Sequence, residues 1–390
     1  LNSLIIARII QALGGGLLMP AMMTMVKKLV PEGSFGTAMG IVGVSLLMAP
    51  ALGPTIGGYL VEYIGWEWIF AINIPIGIIG VILAFFFLPS FEKIRVEKLD
   101  VGGAITITVM LFSLLLALSK GGEWGWTSKQ IVLLLLLSLI SFGLFLYLEL
   151  KLKNPLLNLR IFKYRNFTFA NITTMITTVG LFSGIFFVPL FLQNIKGLGA
   201  LETGLLMLPG ALASGVLMPI VGKLYDHTGP KPLAIFGIIS LSLTTFLLHN
   251  INVDTSNNAI VFWMILRGIS MSFAAVSAQA ASLDSVSKLE VGGASAISNI
   301  ISRVSGSLGI AALTTILTNR ISFHAEAISN QLVSAGTDIS QQALQIQASS
   351  FVNGLDDIFM VASVLTLLGL VPALFLQKVK LEAKNDNIMK

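Results

Sequence analysis

Cysteine is absent from this chain and histidine nearly so. Without a thiol it can form neither a disulfide nor a thiolate metal site. Its three histidines, His227, His249 and His324, lie far apart and lack the spacing of a metal-ligating set. Charge is scarce as well. Only 11% of the residues are Asp, Glu, Lys or Arg, against roughly 25% in a soluble globular chain. With 55% hydrophobic residues and a mean hydropathy of +0.88, the 390 residues cannot cover themselves with a water-compatible surface. Lipid is therefore the solvent for much of the chain. No Walker-type phosphate loop occurs, which argues against direct ATP drive. No cluster of His, Cys or acidic side chains suited to chemistry is legible, so no cofactor is expected, and a membrane-embedded enzyme or scaffold is the remote reading.

What the chain does have is a succession of apolar runs. A membrane helix needs roughly 20 mainly apolar residues, and eleven candidates occur, at about 3–26, 36–61, 67–89, 100–119, 130–150, 167–194, 200–222, 231–250, 258–280, 290–319 and 354–377. Backbone groups in lipid must be satisfied within their own segment, so the expectation is an all-α polytopic membrane protein. The long connection at 320–353, rich in Gln, Ser and Ala, is expected to be extracytoplasmic with room for a short amphipathic helix. The chain opens on Leu1, already inside an apolar run, with neither a charged leader nor a cleavage site. It therefore reads as a fragment truncated at its N-terminus.

The loops alternate in charge. One set, at 27–28, 93–98, 151–165, 223–231, 288 and the 378–390 tail, holds 17 Lys and Arg; the other holds 4, namely Lys120, Lys129, Lys196 and Arg320. The positive-inside bias makes the first set cytoplasmic and puts the C-terminus on the cytoplasmic side of the cell membrane. This distribution, and not nucleic acid, accounts for the net charge of +5. The remaining basic residues, Arg8, Arg267 and Arg303, fall within spans, and a membrane-buried charge is a functional candidate by default. A shift of 259 residues lays Arg8 on Arg267 and Gly33 on Gly292, which suggests parallel repeats of the kind that relate transporter halves. On this reading 1–89 closes an N-terminal helical half, 90–166 is a two-helix insert with its loops, 167–377 is a six-helix C-terminal half, and 378–390 is a cytoplasmic tail.

Several positions carry chemistry. Arg8 and Gln11, three residues apart, share a helical face. Arginine stays protonated and cannot carry the proton, but it can orient a substrate or lower the pKa of a nearby carboxylate; the other reading is an arginine snorkelling to the interface. In span 36–61, Gly36, Gly40, Gly43, Leu47, Pro50, Pro54 and Gly57 recur at three- to four-residue spacing. Such a small-residue seam lets a second helix approach closely, either as a rocking contact or as a static pair. Gly53 and Gly57 are expected where another backbone passes. Asp226, in the turn containing Gly222, Gly229, Pro230 and Lys231, is either an ordinary turn aspartate or a lock on the two helices it joins. Arg267 and Arg303 have no acidic partner in the membrane and read either as coupling residues or as donors to carbonyls. Asn171, Thr174, Phe186, Phe187 and Gln193 suit a wet, apolar cavity as well as they suit helix packing. No acidic residue stands at the centre of a span; Glu62, Glu149 and Asp356 lie near span ends.

These runs resemble a known family. Leu4 to Gly16 is similar to the arginine-bearing fourth-helix motif of the major facilitator superfamily. Met48-Ala49-Pro50-Ala51-Leu52-Gly53-Pro54-Thr55-Ile56-Gly57-Gly58 resembles its antiporter motif, with Ala49 where glycine is usual. Trp66 to Gly77, Asp100-Val101-Gly102-Gly103 and Gly121 to Trp126 resemble the 14-spanning subfamily, and Gly222 to Lys231 resembles the C-half gating loop. The resemblance implies an EmrB/QacA-type or lincomycin-resistance-type drug:proton antiporter lacking its first three helices. Its partners would be the bilayer, a small amphipathic substrate and the proton, with the proton gradient as energy source. The coupling carboxylate would lie in the missing part. An exporter of one dedicated metabolite, or an uptake symporter, is the alternative on the same fold.

Overall fold

The computed structural model describes residues 2–31, 33–89, 100–152, 155–334 and 339–378; the side chains of 2, 3, 47–51, 54, 333, 334 and 339–341 are outside the description. Every regular element among these residues is helical. In chain order they are α1 (Asn2–Leu29), α2 (Phe35–Tyr63), α3 (Trp68–Ala71), α4 (Asn73–Phe87), α5 (Val101–Trp124), α6 (Lys129–Lys151), α7 (Arg165–Asn194), α8 (Ala200–Thr228), α9 (Pro230–Leu247), α10 (Asn257–Asp284), α11 (Val291–Ser334), α12 (Ile339–Leu368) and α13 (Leu370–Ala373). Ten helical stretches among the described residues are long and apolar enough to cross a membrane. The eleventh expected span is α2, 29 residues long, whose middle side chains are outside the description.

Local chemistry sets the helix starts. Asp100, Ser128 and Ser256 each accept the backbone N–H three residues on, at 2.8, 3.4 and 3.2 Å, and so cap α5, α6 and α10. Gly229 (φ +80°) breaks α8 from α9, and Pro230, which has no N–H to leave unpaired, opens α9.

Helices α7 to α13 form one bundle in which α10 packs on α7, α8 and α9, and α11 packs on α7 and α12. Its core falls into two clusters. One, around Phe167, Met218, Tyr225 and Val291, also takes in Met23 of α1 and Phe35 and Met39 of α2. The other, around Phe187, Phe191, Leu313 and Phe359, belongs to α7–α12. The hairpin of α5 and α6 docks on α11, where Trp126 Nε1 donates to Thr315 Oγ1 at 3.0 Å. α2 lies along α8. Residues 4–18 of α1 and all of α4 are exposed around their whole circumference.

Three expectations change. The span 67–89 is two helices, with a turn at Ile72. Among the described residues the connection 320–353 holds no separate short helix, because α11 runs on to Ser334 and α12 starts at Ile339. A cross-helix ion pair supports this polar extension, which an apolar-run criterion cannot detect. Gly33 and Gly292 differ in backbone: Gly33 is a left-handed turn residue (φ +86°), whereas Gly292 is the second residue of α11. The loop at 90–99, with Lys93, Arg95 and Lys98, lies outside the described residues, as does the tail beyond Lys378.

Candidate functional site

The α2–α8 contact is a backbone-to-backbone seam. A Cβ added to Gly36 would strike Gly222 O, Tyr225 and Asp226; one on Gly40 would strike the Met218 and Pro219 backbone. At the other end, a Cβ on Gly58 would come within 2.8 Å of Leu201 N, and one on Gly204 within 2.6 Å of Thr55 N. Glycine is therefore required on both helices for the axes to come this close. The expectation for Gly53 and Gly57 is overturned, since nothing lies within 4 Å of a Cβ at either position. The reason is helical phase. Gly58 stands 18 residues after Gly40, five turns at 3.6 residues per turn, so it shares that face. Gly57 is rotated by about 100°. Pro50 and Pro54 lie in the same helix, with their side chains outside the description.

A polar clasp closes one end of the seam. Asp226, near the C-terminus of α8, accepts from Gly36 N (2.7 Å), Thr37 N (2.9 Å) and Thr37 Oγ1 (2.6 Å). The two N–H groups belong to the first turn of α2 and have no partner within their own helix, and the positive end of its dipole favours a carboxylate. Asp226 thus joins α8 to α2, and not to α9 as the turn alone suggests. Gly222 supplies the close approach, and Gly229 makes room for Lys378, whose Nζ donates to His227 O at 2.7 Å. Lys231 is exposed. A second tie runs from Lys27 of α1 to Asp284 of α10 at 2.7 Å, with the ammonium 4.1 Å from the Phe35 ring centre. Glu290 receives Asn158 Nδ2 (3.4 Å) and Tyr164 OH (3.3 Å). Burial, with the Glu290 carboxylate beside it, holds the Tyr164 phenol above its ordinary pKa. The described loops of the basic set therefore gather at one end of the bundle.

The three span arginines sit in different surroundings. Arg8 Nη1 donates to Gln11 Oε1 at 2.8 Å, and its guanidinium lies 4.6 Å from the Phe70 ring centre, on an exposed stretch of α1. Arg267 is buried. It donates to Thr245 Oγ1 of α9 at 2.7 Å and, on α7, to the carbonyls of Gly180 and Leu181. It presses against Gly184, where any Cβ would overlap the guanidinium. It thus bolts three helices together through neutral acceptors. Arg303 is exposed on α11.

The α7 residues do not converge on one cavity. Asn171 is buried and donates to Phe167 O (2.8 Å) and Ser282 Oγ (3.0 Å), Thr174 bonds back to Ala170 O, and Phe187 is core. Phe186 and Gln193 are exposed.

A polar group at the opposite end was not legible in sequence. Arg320 Nε and His324 Nε2 lie 2.5 and 2.8 Å from Asp357 Oδ2, and His249 Nδ1 lies 2.9 Å from the Asp356 carbonyl. Asp356 Oδ1 is buried without a hydrogen-bond partner. The one available signal was the i, i+4 spacing of Arg320 and His324, which presumes a helix that hydropathy does not reveal.

Comparison with known proteins agrees with this geometry. The profile described as Major Facilitator Superfamily matches residues 1–310. The chain is 33% identical to the uncharacterized MFS-type transporter YhcA of Bacillus subtilis, over 97% of this chain and 76% of that protein. It is 32% identical to the lincomycin resistance protein LmrB of Listeria monocytogenes, over 97% and 78%. It is 34% identical to the multidrug transporter protein MdtP of Bacillus subtilis, over 82% of this chain and 59% of that protein. With a polytopic helical fold, a match over most of its length and relatives above 30% identity, this chain belongs to the major facilitator superfamily of membrane transporters.

Proposed function

We propose that this chain exports amphipathic compounds by proton antiport, through alternating access, in the cell membrane with its C-terminal tail on the cytoplasmic side. The observation that carries the reading is the α2–α8 seam. Its backbones touch near both ends with glycine at each contact, and a breakable three-bond clasp fastens one end. Contacts between small residues interlock few side chains, so the helices can rock about them at low cost. The clasp ties α2 to the C-terminal bundle, and the Lys27–Asp284 pair ties α1 to it, where an alternating-access gate must act. The names of the lincomycin-resistance and multidrug relatives support the substrate class. Gathering of the basic loops at one end supports the orientation.

Arg8 is assigned to coupling. It is a fixed cation held by Gln11, and its role is to set the proton affinity of a carboxyl group and not to carry the proton. Arg267, held wholly by neutral acceptors, is assigned to the frame.

The test is purified protein in sealed vesicles with an imposed pH gradient and a fluorescent lipophilic cation. Cation movement opposite to the proton supports antiport. Movement in the same direction identifies a symporter, and no movement in vesicles shown to contain folded protein refutes the reading. Arg8→Ala should lose pH-driven movement while substrate binding partly survives, and Arg8→Lys should recover only part. An unchanged pH dependence in Arg8→Ala would remove Arg8 from coupling.

A further inference from the structure

The hairpin of α5 and α6 holds two carboxyl groups that the transport reading does not use. Asp100 caps α5 through Oδ1, which accepts Gly103 N at 2.8 Å. Its Oδ2 is wholly buried and has no hydrogen-bond partner. Glu149, in the last turn of α6, is only 4% exposed. Its oxygens accept from Leu157 N, at 3.3 and 3.1 Å, and the backbone of Leu156 also donates to the carboxyl. Gly103 marks the space between the two groups. A methyl built there would overlap Asp100 Oδ2 and lie 3.0 Å from Glu149 Oε1, so both carboxyls border the same small volume over the Gly103 Cα.

No cation offsets this arrangement among the described residues. Among the described residues, the charged side chain beside Glu149 is Asp100, from α5. The linker following α6 presents backbone N–H groups, and its Asn158 turns away to Glu290. Lys151, on α6 itself, is exposed and bonds to Tyr147 OH at 2.8 Å. Two ionised carboxylates facing one small volume repel each other, and the buried Glu149 resists ionisation without a counter-charge. One added proton answers both problems. It removes one charge, and the resulting O–H is the kind of donor that the orphan Oδ2 lacks.

We propose that Asp100 and Glu149 together form a proton-binding site, holding one proton between them at neutral pH at the end of the hairpin that faces the basic loops. The proton comes from water on that side and returns to it, with no covalent step. When the pair loses its proton, the two carboxylates are pushed apart. Glu149 then pulls on Leu157, which is packed in the main core, and through the linker on Asn158 and its contact with Glu290 at the α10–α11 turn. The site is independent of the antiport reading, because its occupancy is read spectroscopically.

The test is infrared difference spectroscopy of the full chain in lipid nanodiscs, taken from neutral to alkaline pH. The expected result is a protonated-carboxyl C=O band at neutral pH that shifts in heavy water. Glu149→Gln should abolish it. Asp100→Asn should move its titration midpoint to lower pH, because the like charge is gone. No such band in the unaltered chain would mean that both groups are ionised around a cation, which overturns the proposal. A band from which Glu149→Gln removes no intensity, or a midpoint unmoved by Asp100→Asn, overturns it too. Should Glu149→Gln fail to assemble, carboxyl-¹³C glutamate in the unaltered chain decides: the band must move, and an unmoved band refutes the site.

Discussion

The clasp between Asp226 and the start of α2 can be weakened in graded steps. Three donors converge on this carboxylate at 2.6 to 2.9 Å, two of them unpaired N–H groups at a helix N-terminus. Hydrogen bonds to a charged group contribute about 1.5–3 kcal/mol each but do not add fully, and loss of a helix cap costs about 0.5–2 kcal/mol. Asp226→Asn keeps one acceptor oxygen and loses the charge, which sets its cost near 2 kcal/mol, or about 30-fold in the open-to-closed ratio. Asp226→Ala removes every acceptor, for about 3 kcal/mol or roughly 150-fold. Thr37→Val removes only the hydroxyl donor, for about 1 kcal/mol or roughly 5-fold. Met39 is 1% exposed in the cluster behind the clasp, and the chain has no cysteine of its own, so Met39→Cys is a clean reporter. Labelling of that thiol by a water-soluble maleimide should rise in the order Thr37→Val, Asp226→Asn, Asp226→Ala, because its rate follows the population of the open form. Equal labelling in Asp226→Ala and the parent, at equal expression, would show that the carboxylate does not hold this end closed.

Three further outcomes follow from the packing. Gly58→Leu and Gly40→Leu should abolish vesicle transport while leaving membrane insertion intact, whereas Gly57→Leu should retain transport, since a side chain there meets open space; the reverse ranking would refute the assigned face. Arg267→Met should destabilise the fold by about 1.5–3 kcal/mol, read as lost thermal stability in detergent, because the charged hydrogen bonds that join α10 to α7 and α9 are lost; Gly184→Ala should do the same through its clash with the guanidinium. A single cysteine introduced at position 338 should react only from outside intact cells, as the positive-inside reading requires; labelling only from the cytoplasmic side would invert the topology.

The spans were legible because twenty-residue apolar runs have few readings other than membrane helices. The start of the seam was legible too, since Gly36 and Gly40 stand one turn apart. The phase of its far end was not. Small residues fill both candidate faces near 53–58, and only the position of α8 selects Gly58 over Gly57. Long-range pairs were out of reach for a different reason. Lys27 lies 257 residues from Asp284 and Thr37 lies 189 from Asp226, and sequence spacing says nothing about which loop ends meet. Arg267 shows the limit of a default rule. A buried charge was flagged correctly as unusual, but whether it couples or merely bolts depends on acceptors in α7 and α9 that no local pattern reveals. Helix α11 was cut short because hydropathy measures compatibility with lipid, and helix continuity past the bilayer rests on polar contacts such as Arg320 with Asp357.

That continuity gives α11 a mechanical role. Its 44 residues, at 1.5 Å each, make a rod about 66 Å long, roughly twice the 30 Å hydrocarbon thickness. At one end it sits against Thr24 of α1, where a Cβ on Gly292 would lie 3.2 Å from the hydroxyl oxygen. Beyond its midpoint the Arg320–Asp357 pair fastens it to α12. A tilt of about 5° at the Gly292 end would carry the far tip through about 6 Å over that length. A small rearrangement at the Gly292 end would thus be delivered, enlarged, to the opposite end of the helix, and with α12 tied alongside, the pair would move as one arm.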